Sequence, residues 1–338
     1  MNVKIFTEGG PDIGLGHISR CTSLYDEVAS RGFNVELVIY GDENNIGLLK
    51  KRNFTFANWY DKNNLYKCIS ISDYVIVDSY KANLEIYEII SQISKRALYI
   101  DDVGRLNYPK GIVLNPALDT SYIVYPKDKA ITYLLGPHYI ILRPPFRDVK
   151  RDYIEKNIQN ALIVMGGTDI RNLLPDITTQ ICTKYPDINF RIIIGTTSNE
   201  LEEISNNGVY NVKIYNNLTG DEIKQLMLES DFSITAAGQT IYELIATCTP
   251  FIPIQVIDNQ KFTVSAILEN NLVHKVLNWE SDSLREQIIQ EIELLKEQAY
   301  RVSLSDKYSN FIDGKGVQRI IDELMGWVYG VCNNYWSK

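Results

Sequence analysis

The chain has 338 residues, enough for two hydrophobic cores, and its 45% hydrophobic and 22% charged residues are typical of a globular protein. The net charge of −8 argues against a nucleic-acid partner, because nucleic-acid-binding proteins usually carry a basic excess. No apolar run is long enough for a membrane span or a cleavable leader, and five scattered cysteines with three histidines form no zinc pattern, so we expect a cytoplasmic protein with reduced thiols, no metal and no cofactor.

The first half alternates short apolar runs with amphipathic segments, which predicts a parallel sheet covered by helices. The predicted strands are Val3–Thr7, Val35–Tyr40, Tyr74–Asp78, Leu98–Asp101 and Ile112–Leu114. The predicted helices are His17–Arg31, Ile46–Arg52 and Asn83–Ile93.

The alternation pauses over the proline-rich segment Leu134–Arg151 and then restarts. In the second half we predict strands at Ala161–Met165, Phe190–Ile194, Val212–Ile214, Phe232–Thr235 and Phe251–Ile254. Predicted helices lie at Asn172–Tyr185, Thr219–Glu229, Thr240–Cys248 and Gln260–Asn270. We therefore predict an α/β fold of two Rossmann-like domains facing a cleft, with ligands at the carboxyl ends of the strands.

From Leu277 onward the sequence is charged and helical in pattern, with amphipathic stretches at Glu280–Arg301 and Gly316–Val328. This gives three predicted regions: residues 1–148, residues 149–280 and a helical C-terminal region, 281–338. The aromatic last residues, from Trp327 onward, either pack back onto the N-terminal half or expose a patch for an acceptor or partner; we expect the first.

A glycine-rich loop containing Gly10, Gly14 and Gly16 follows the first strand and opens the first helix. Its spacing differs from the Gly-x-Gly-x-x-Gly of dinucleotide-binding proteins, which disfavours a nicotinamide enzyme. His17 is the one histidine in such a loop, and a neutral imidazole there could take a proton from water near neutral pH. A purely structural part in the turn is the alternative.

Asp78 and Tyr80 follow the third strand, and Asp101 and Asp102 follow the fourth in a weaker version of the same pattern. Tyr80 could orient a water molecule or a sugar hydroxyl. For the aspartates, a structural role is at least as probable as a functional one.

Two strand–glycine–helix junctions in the second half suit an anionic ligand, because helix N-termini present free amides. The first carries Gly166, Gly167 and Asp169. The second is the stronger and comprises Gly238, Gln239, Thr240 and Glu243, followed by Asn259 and Gln260. Glu243 lies one turn into the helix, where its carboxylate could accept two ribose hydroxyls; an internal salt bridge is the alternative.

Together these motifs resemble the UDP-sugar hydrolases of the pseudaminic acid pathway and the related spore-coat polysaccharide proteins, within the wider superfamily of GT-B glycosyltransferases. The similarity is carried by Gly-Leu-Gly-His at 14–17 with Arg20, Asp78-Ser79-Tyr80, Gly136 to Phe146 including Arg143, Met165-Gly166-Gly167 with Asp169, Ala237 to Glu243, and Asn259-Gln260.

The resemblance implies a GT-B-like fold and release of UDP from UDP-2,4-diacetamido-2,4,6-trideoxy-β-L-altropyranose by water attack at the anomeric carbon, without a required metal. It implies that His17 activates the water beside Tyr80, and that Glu243 and Asn259 belong to the nucleotide site. The other residues expected to bind substrate or nucleotide are Gly14, Gly16, Arg20, Arg143, Gly166, Gly167, Asp169, Gly238, Gln239, Thr240 and Gln260.

Two other functions stay open at this point. A glycosyltransferase could use the same scaffold, because an acceptor hydroxyl and water are similar nucleophiles. A non-catalytic nucleotide-sugar-binding protein is the third reading. Fold resemblance alone does not decide between them.

Overall fold

A computed structural model describes residues 1–10, 16–41, 49–149, 151–167, 169–195 and 209–326 of the chain. The chain divides into two compact units. Unit 1 is formed by Met1–Pro144 together with the segment from Lys315, and unit 2 by Pro145–Gly314. The described chain therefore passes from one unit to the other twice.

Unit 1 contains a seven-stranded parallel sheet with the strand order β3-β2-β1-β4-β5-β6-β7. Its strands are β1 (Asn2–Gly9), β2 (Asn34–Gly41), β3 (Phe54–Phe56), β4 (Tyr74–Asp78), β5 (Arg96–Ile100), β6 (Gly111–Asn115) and β7 (Ile131–Leu135). Its helices are α1 (Gly16–Ser30), α2 (Lys62–Cys68) and α3 (Leu84–Ile93), with α10 (Gly316–Met325) from the end of the chain.

The sheet of unit 1 is buried on both faces, which explains why its central strands are apolar without alternation. One face packs against α1 and α10 through residues such as Ile18, Leu24, Ile320 and Leu324. The other packs against α2 and α3 and includes the fully buried Trp59, whose indole donates to the Thr7 carbonyl. Both helical layers hold the carboxyl ends of β1, β4 and β5 in a fixed arrangement.

Unit 2 contains a six-stranded parallel sheet with the order β10-β9-β8-β11-β12-β13. Its strands are β8 (Asn160–Val164), β9 (Asn189–Ile193), β10 (Val212–Tyr215), β11 (Phe232–Ala236), β12 (Phe251–Gln255) and β13 (Leu277–Asn278). Its helices are α4 (Leu174–Gln180), α5 (Gly220–Leu228), α6 (Thr240–Ala246), α7 (Lys261–Glu269), α8 (Leu284–Leu295) and α9 (Gln298–Phe311).

The two Rossmann-like domains predicted from the sequence are confirmed, and each predicted strand is present with shifts of one or two residues at its ends. The short strands β3 and β13 were missed, as was β7, which lies inside the segment where the pattern pauses. Residues 46–48 of the predicted helix Ile46–Arg52 lie outside the described residues, and of the rest only Leu49 is helical. The cleft expected between the halves stays a prediction.

The predicted regional boundaries, 148 and 280, differ from the division in the structure. The helices α8 and α9 contact β12, β13 and α6 of unit 2, whereas α10 contacts α1 and β5 of unit 1. Within the described residues, 281–326 therefore form no unit of their own. The predicted helix Glu280–Arg301 is two helices, and the aromatic tail from Trp327 lies outside the described residues.

Candidate active site

Polar residues follow three neighbouring strands of unit 1 at one edge of the sheet. The pairing of Thr7 with Asp78, and of Asp78 with Ile100, aligns the carboxyl ends of β1, β4 and β5. Parallel strands all end at the same edge, so Asp78 and the residues after β5 meet there. The helix α1, which begins at Gly16, brings His17 and Arg20 to the same place.

His17 and Asp78 form a buried pair in this cluster. Nδ1 of His17 lies 2.7 Å from Oδ1 of Asp78. The Asp78 side chain is fully buried, and that of His17 is 9% exposed. The sequence predicted the histidine as the base but left the role of the aspartate open, and the structure joins them.

Arg20 clamps two carboxylates with its guanidinium group. Nε and Nη2 donate to Asp78 at 2.5 and 2.6 Å, while Nη1 and Nη2 donate to Asp102 at 2.8 Å each. This bidentate arrangement is the strong form of the arginine–carboxylate interaction. Binding of substrate by Arg20 stays a prediction; in the structure its donors hold the two aspartates.

The electrostatics of the cluster keep Asp78 ionised. Burial by itself favours the neutral acid, but the charge and hydrogen bonds of Arg20, together with His17, hold the pKa of Asp78 well below its usual range. Burial likewise opposes the charge of Arg20, and Asp102 and Asp78 outweigh it and raise the pKa of Arg20 well above its usual value. Arg20 and Asp78 are therefore both charged near neutral pH.

An ionised Asp78 fixes the tautomer of His17. A carboxylate can only accept hydrogen bonds, so Nδ1 must carry the proton that lies between the two side chains. In the neutral imidazole, Nε2 is then a bare acceptor, and among the described residues it has no hydrogen-bond partner. This is the arrangement of a histidine general base oriented by an aspartate.

Tyr80 completes the cluster on its exposed side. Its hydroxyl donates to Oδ2 of Asp102 at 2.5 Å, and its ring meets the His17 ring edge-on with centroids 4.6 Å apart. Partial burial and the negative charge of Asp102 raise the pKa of Tyr80 above its ordinary value, so the phenol stays protonated. About half of Tyr80 is exposed, which leaves it available to a ligand.

Glu8 is a buried residue of the site that the sequence analysis missed. Its carboxylate accepts from the Tyr80 amide at 2.9 Å and from the hydroxyls of Ser79 and Tyr60. It therefore holds the backbone that carries Tyr80. The available signal was a carboxylate near the carboxyl end of the first strand, next to the glycine-rich loop.

Asp101 and Cys21 support the cluster without facing a ligand. Asp101 accepts from the Arg105 amide and the Tyr125 hydroxyl, which shapes the connection after β5. The Cys21 thiol lies 3.6 Å from Oδ2 of Asp78, and burial followed by the Asp78 charge raises its pKa. The thiol therefore stays protonated and adds a weak donor to Asp78.

In unit 2, the chain turns at the glycine pair that follows β8. Gly166 adopts a left-handed φ of +87°, and no described atom lies within 4 Å of a Cβ placed on Gly167. Asp169 is buried, and its Oδ2 accepts from the Leu174 amide at the start of α4. Its carboxylate thus caps a helix, and contact with a ligand stays a prediction.

The junctions after β11 and β12 lie against each other. Nε2 of Gln260 is 3.8 Å from the position of a Cβ on Gly238, while its Oε1 accepts from the Val256 amide at 2.9 Å. Gln239 and Thr240 form the start of α6, and Glu243 is buried within it. Gly238 and Gln260 are thus brought together as one surface.

For the remaining predicted site residues, the structure gives a position in the fold at most. Gly14 lies outside the described residues, as does the side chain of Asn259, whose backbone forms a short 3-10 turn. Gly16 is the first residue of α1. Arg143 lies between two 3-10 turns near the end of unit 1. Their ligand contacts stay predictions.

Metal-ligand clusters and membrane-spanning helices are both absent from the described residues. No group of three or more His, Cys, Asp or Glu side chains there could hold a metal ion. In the same part of the chain, no helix is long and apolar enough to cross a membrane.

Among curated proteins, the chain is similar to three relatives. It is 27% identical over 270 residues to the uncharacterised protein MJ1062 of Methanocaldococcus jannaschii, covering 75% of this chain and 55% of that protein. It is 22% identical to the spore coat polysaccharide biosynthesis protein SpsG of Bacillus subtilis, covering 95% of this chain and 96% of SpsG.

The third relative is the pseudaminic acid cytidylyltransferase and UDP-2,4-diacetamido-2,4,6-trideoxy-β-L-altropyranose hydrolase of Helicobacter pylori. The identity is 26%, over 77% of this chain and 45% of that protein. The chain thus spans about half the length of two of these relatives and nearly all of SpsG. No protein-family model matches the chain.

Three solved structures with the same fold are MurG, a glycotransferase and UGT2. MurG of Acinetobacter baumannii has a TM-score of 0.66 at 14% identity, covering 96% of this chain and 99% of MurG. The glycotransferase of kitacinnamycin has a TM-score of 0.65 at 14% identity, over 96% and 98% of the two chains. UGT2 of Phytolacca americana, solved with UDP-2-fluoroglucose and pterostilbene, has a TM-score of 0.63 at 10% identity, over 96% and 99%.

These likenesses agree with the two parallel-sheet units described above. The fold of the chain is that of the GT-B glycosyltransferases, as the sequence predicted.

Proposed function

We propose that the protein is a nucleotide-sugar hydrolase, which releases UDP from a UDP-linked diacetamido-trideoxy sugar of the 2,4-diacetamido-2,4,6-trideoxy-β-L-altropyranose type. The observation that carries the proposal is the His17–Asp78 pair, with Nδ1 and Oδ1 at 2.7 Å. A buried, ionised aspartate on one ring nitrogen makes the other nitrogen a base.

In the proposed step, a water oxygen attacks the anomeric carbon and forms a new C–O bond. The water proton passes to Nε2 of His17, and the resulting imidazolium is stabilised by Asp78. The bond from the anomeric carbon to the phosphate oxygen breaks, and its electron pair leaves with UDP. Tyr80, at the rim of the cluster, is proposed to orient the water or the sugar.

For the nucleotide, we propose binding by unit 2. The start of α6 after Gly238 offers helix N-terminal amides to the diphosphate, and charge that develops on the leaving group would be stabilised there. The Gln260 amide, adjacent to Gly238, adds a polar group. Glu243 is proposed to accept the ribose hydroxyls.

The relatives support this choice of substrate. The Helicobacter pylori protein is named for hydrolysis of this UDP-sugar, and the similarity covers 77% of our chain. Similarity to SpsG, over nearly the whole of both chains, supports a place in polysaccharide biosynthesis. Because the chain spans 45% of the Helicobacter pylori protein, only the hydrolase activity is proposed and not its cytidylyltransferase activity.

The alternative is a glycosyltransferase that passes the sugar to an acceptor. The fold favours it, since UGT2 of Phytolacca americana was solved with both a UDP-sugar analogue and pterostilbene. The half-exposed Tyr80 beside His17 would then line the acceptor site. A sugar hydroxyl would replace water at the same base.

The test is hydrolysis of the altro-configured UDP-sugar in oxygen-18-labelled water, without acceptor. We expect stoichiometric UDP without label, because attack at the anomeric carbon leaves the original oxygen on the phosphate. Label in UDP would mean attack at phosphorus and contradict the proposed chemistry. UDP formation only after an acceptor is added would establish the transferase instead.

A further inference from the structure

Arg171 lies in the connection after β8 and has two contacts outside it. Its Nε donates to the Val256 carbonyl at 2.8 Å. Its guanidinium carbon lies 3.9 Å from the centre of the Trp279 ring, which is a close cation–π stack. Arginine is held in one orientation by such a combination of stacking and hydrogen bonding.

These contacts join Arg171 to two residues that follow neighbouring strands of the unit 2 sheet. In the strand order, β11 lies between β8, which precedes Arg171, and β12 and β13, which precede Val256 and Trp279. The side chain of Arg171 therefore reaches from the connection after β8 to those after β12 and β13, and β11, which is followed by the turn at Gly238, lies between these strands in the sheet. The Val256 amide is held by Gln260, whose side chain also borders Gly238.

The charge of Arg171 is not neutralised by any described carboxylate. In the described part of the chain, no carboxylate pairs with it, and its Nη groups donate to no acceptor. Other arginines of the chain do pair with carboxylates, such as Arg191 with Glu229 and Arg20 with two aspartates. The Arg171 side chain is exposed, and its Nη groups are therefore open to a bound oxyanion, for which a guanidinium is a strong donor.

We infer that Arg171, held on Trp279 and Val256, binds the phosphate oxygens of the nucleotide diphosphate beside the Gly238 turn. The inference deepens the proposed function, on which it rests, by naming the side chain that meets the charge of the leaving group. Trp279 is its positioning residue. The amides of the turn and the Nη groups of Arg171 together would surround the diphosphate.

The test is the affinity for UDP, UMP, uridine and pyrophosphate, measured by titration calorimetry on the full chain. Charge-assisted hydrogen bonds predict that Arg171→Ala weakens UDP binding about 10- to 100-fold and leaves the affinity for uridine within about twofold of the wild-type value. Trp279→Leu, which removes the stack but not the charge, should weaken UDP by a smaller factor. Arg171→Lys should recover part of the loss.

Arg191→Ala is the matched control, because it removes the same charge from the same unit. Arg191 lies on a strand, and its guanidinium is paired with Glu229. It should bind UDP as the wild type does. Equal UDP binding by wild type and Arg171→Ala would overturn the inference, as would a parallel loss of UDP and uridine. Wild-type protein that binds pyrophosphate through Arg171 but releases no UDP from the sugar would support the inference and refute the proposed function.

Discussion

Four donors converge on the carboxylate of Asp78, from His17, Arg20 and Cys21. A fully buried carboxylate is stable only when its oxygens are satisfied in this way. The same contacts that satisfy Asp78 also orient His17. Folding and chemistry therefore depend on one residue, and its replacement should affect both in measurable ways.

Asp78→Asn should lower kcat for UDP release by about 10²- to 10⁴-fold, since an amide no longer fixes the tautomer of His17. UDP affinity should be unchanged, because the nucleotide is proposed to bind to unit 2. Steady-state kinetics and calorimetry on the same preparation separate the two. Equal losses of kcat and UDP affinity would contradict this assignment.

The contribution of Asp78 to stability should depend on pH. Because the pKa of Asp78 is lower in the folded than in the unfolded chain, the stabilisation is present above the unfolded value and is lost as the pH falls. The difference in unfolding free energy between wild type and Asp78→Asn should therefore shrink below about pH 4. Urea unfolding at pH values from about 3 to about 7 measures this difference in unfolding free energy.

The matched control for that measurement is Asp221→Asn, at an exposed ion pair with Lys224. Pairs of this kind contribute little, so its effect should be small at every pH. The account would be contradicted if the difference in unfolding free energy between wild type and Asp78→Asn were as large at acid pH as at neutral pH.

At the residue scale, the sequence located His17 and Tyr80 but not the network that joins them. A histidine after a glycine-rich loop is a local signal, and so is a tyrosine at a strand end. The pairing of Arg20 with Asp78 and Asp102 spans 58 and 82 residues of chain, and only the strand order brings them together. Glu8 was missed for the same reason.

At the element scale, α10 shows how a late segment completes an early core. Val317, Ile320, Ile321 and Leu324 are fully buried against the sheet of unit 1. Their spacing predicts an amphipathic helix, but periodicity does not identify the core that receives it. The predicted helix is therefore present, but it belongs to unit 1 and not to a separate C-terminal region.

The close approach of α10 to the 3-10 turn at Pro137–Tyr139 depends on Gly316. A Cβ at this position would lie 2.3 Å from the carbonyl oxygen and 2.8 Å from the amide nitrogen of Ile140. Since the backbone must move to admit it, Gly316→Ala should lower the free energy of unfolding by about 1–3 kcal/mol. Thermal or urea unfolding gives the value.

Gly167→Ala is the comparison variant, because no described atom lies within 4 Å of its added Cβ and its φ is not left-handed. It should unfold with nearly the wild-type free energy. If Gly316→Ala were as stable as Gly167→Ala, the docking of α10 described above would be wrong.

The break between α8 and α9 is a second feature that local patterns did not reveal. No proline or glycine marks it. The fully buried Arg301 donates to the carbonyls of Leu295, Glu155 and Lys156, and so ties the end of α8 to a distant segment. An interaction of this kind is tertiary, and the sequence analysis therefore read Glu280–Arg301 as one helix.

At the scale of the whole molecule, β–α alternation was sufficient to predict two Rossmann-like units, because each strand–helix repeat carries its own hydrophobic signal. The division into units required tertiary information, since the chain returns to unit 1 after Gly314. The proposed function uses residues of both units. The His17 network in unit 1 is proposed for the chemistry, and the Gly238 turn in unit 2 for binding the nucleotide.

The most direct measurement is UDP release from the altro-configured UDP-sugar without acceptor, by wild type, His17→Ala and His138→Ala. His138 is an exposed histidine of unit 1 and serves as the matched control. We expect rapid release by wild type and His138→Ala, and a loss of at least about 100-fold in His17→Ala, as befits a general base. Undiminished release by His17→Ala would contradict the central claim that the His17–Asp78 pair performs the chemistry.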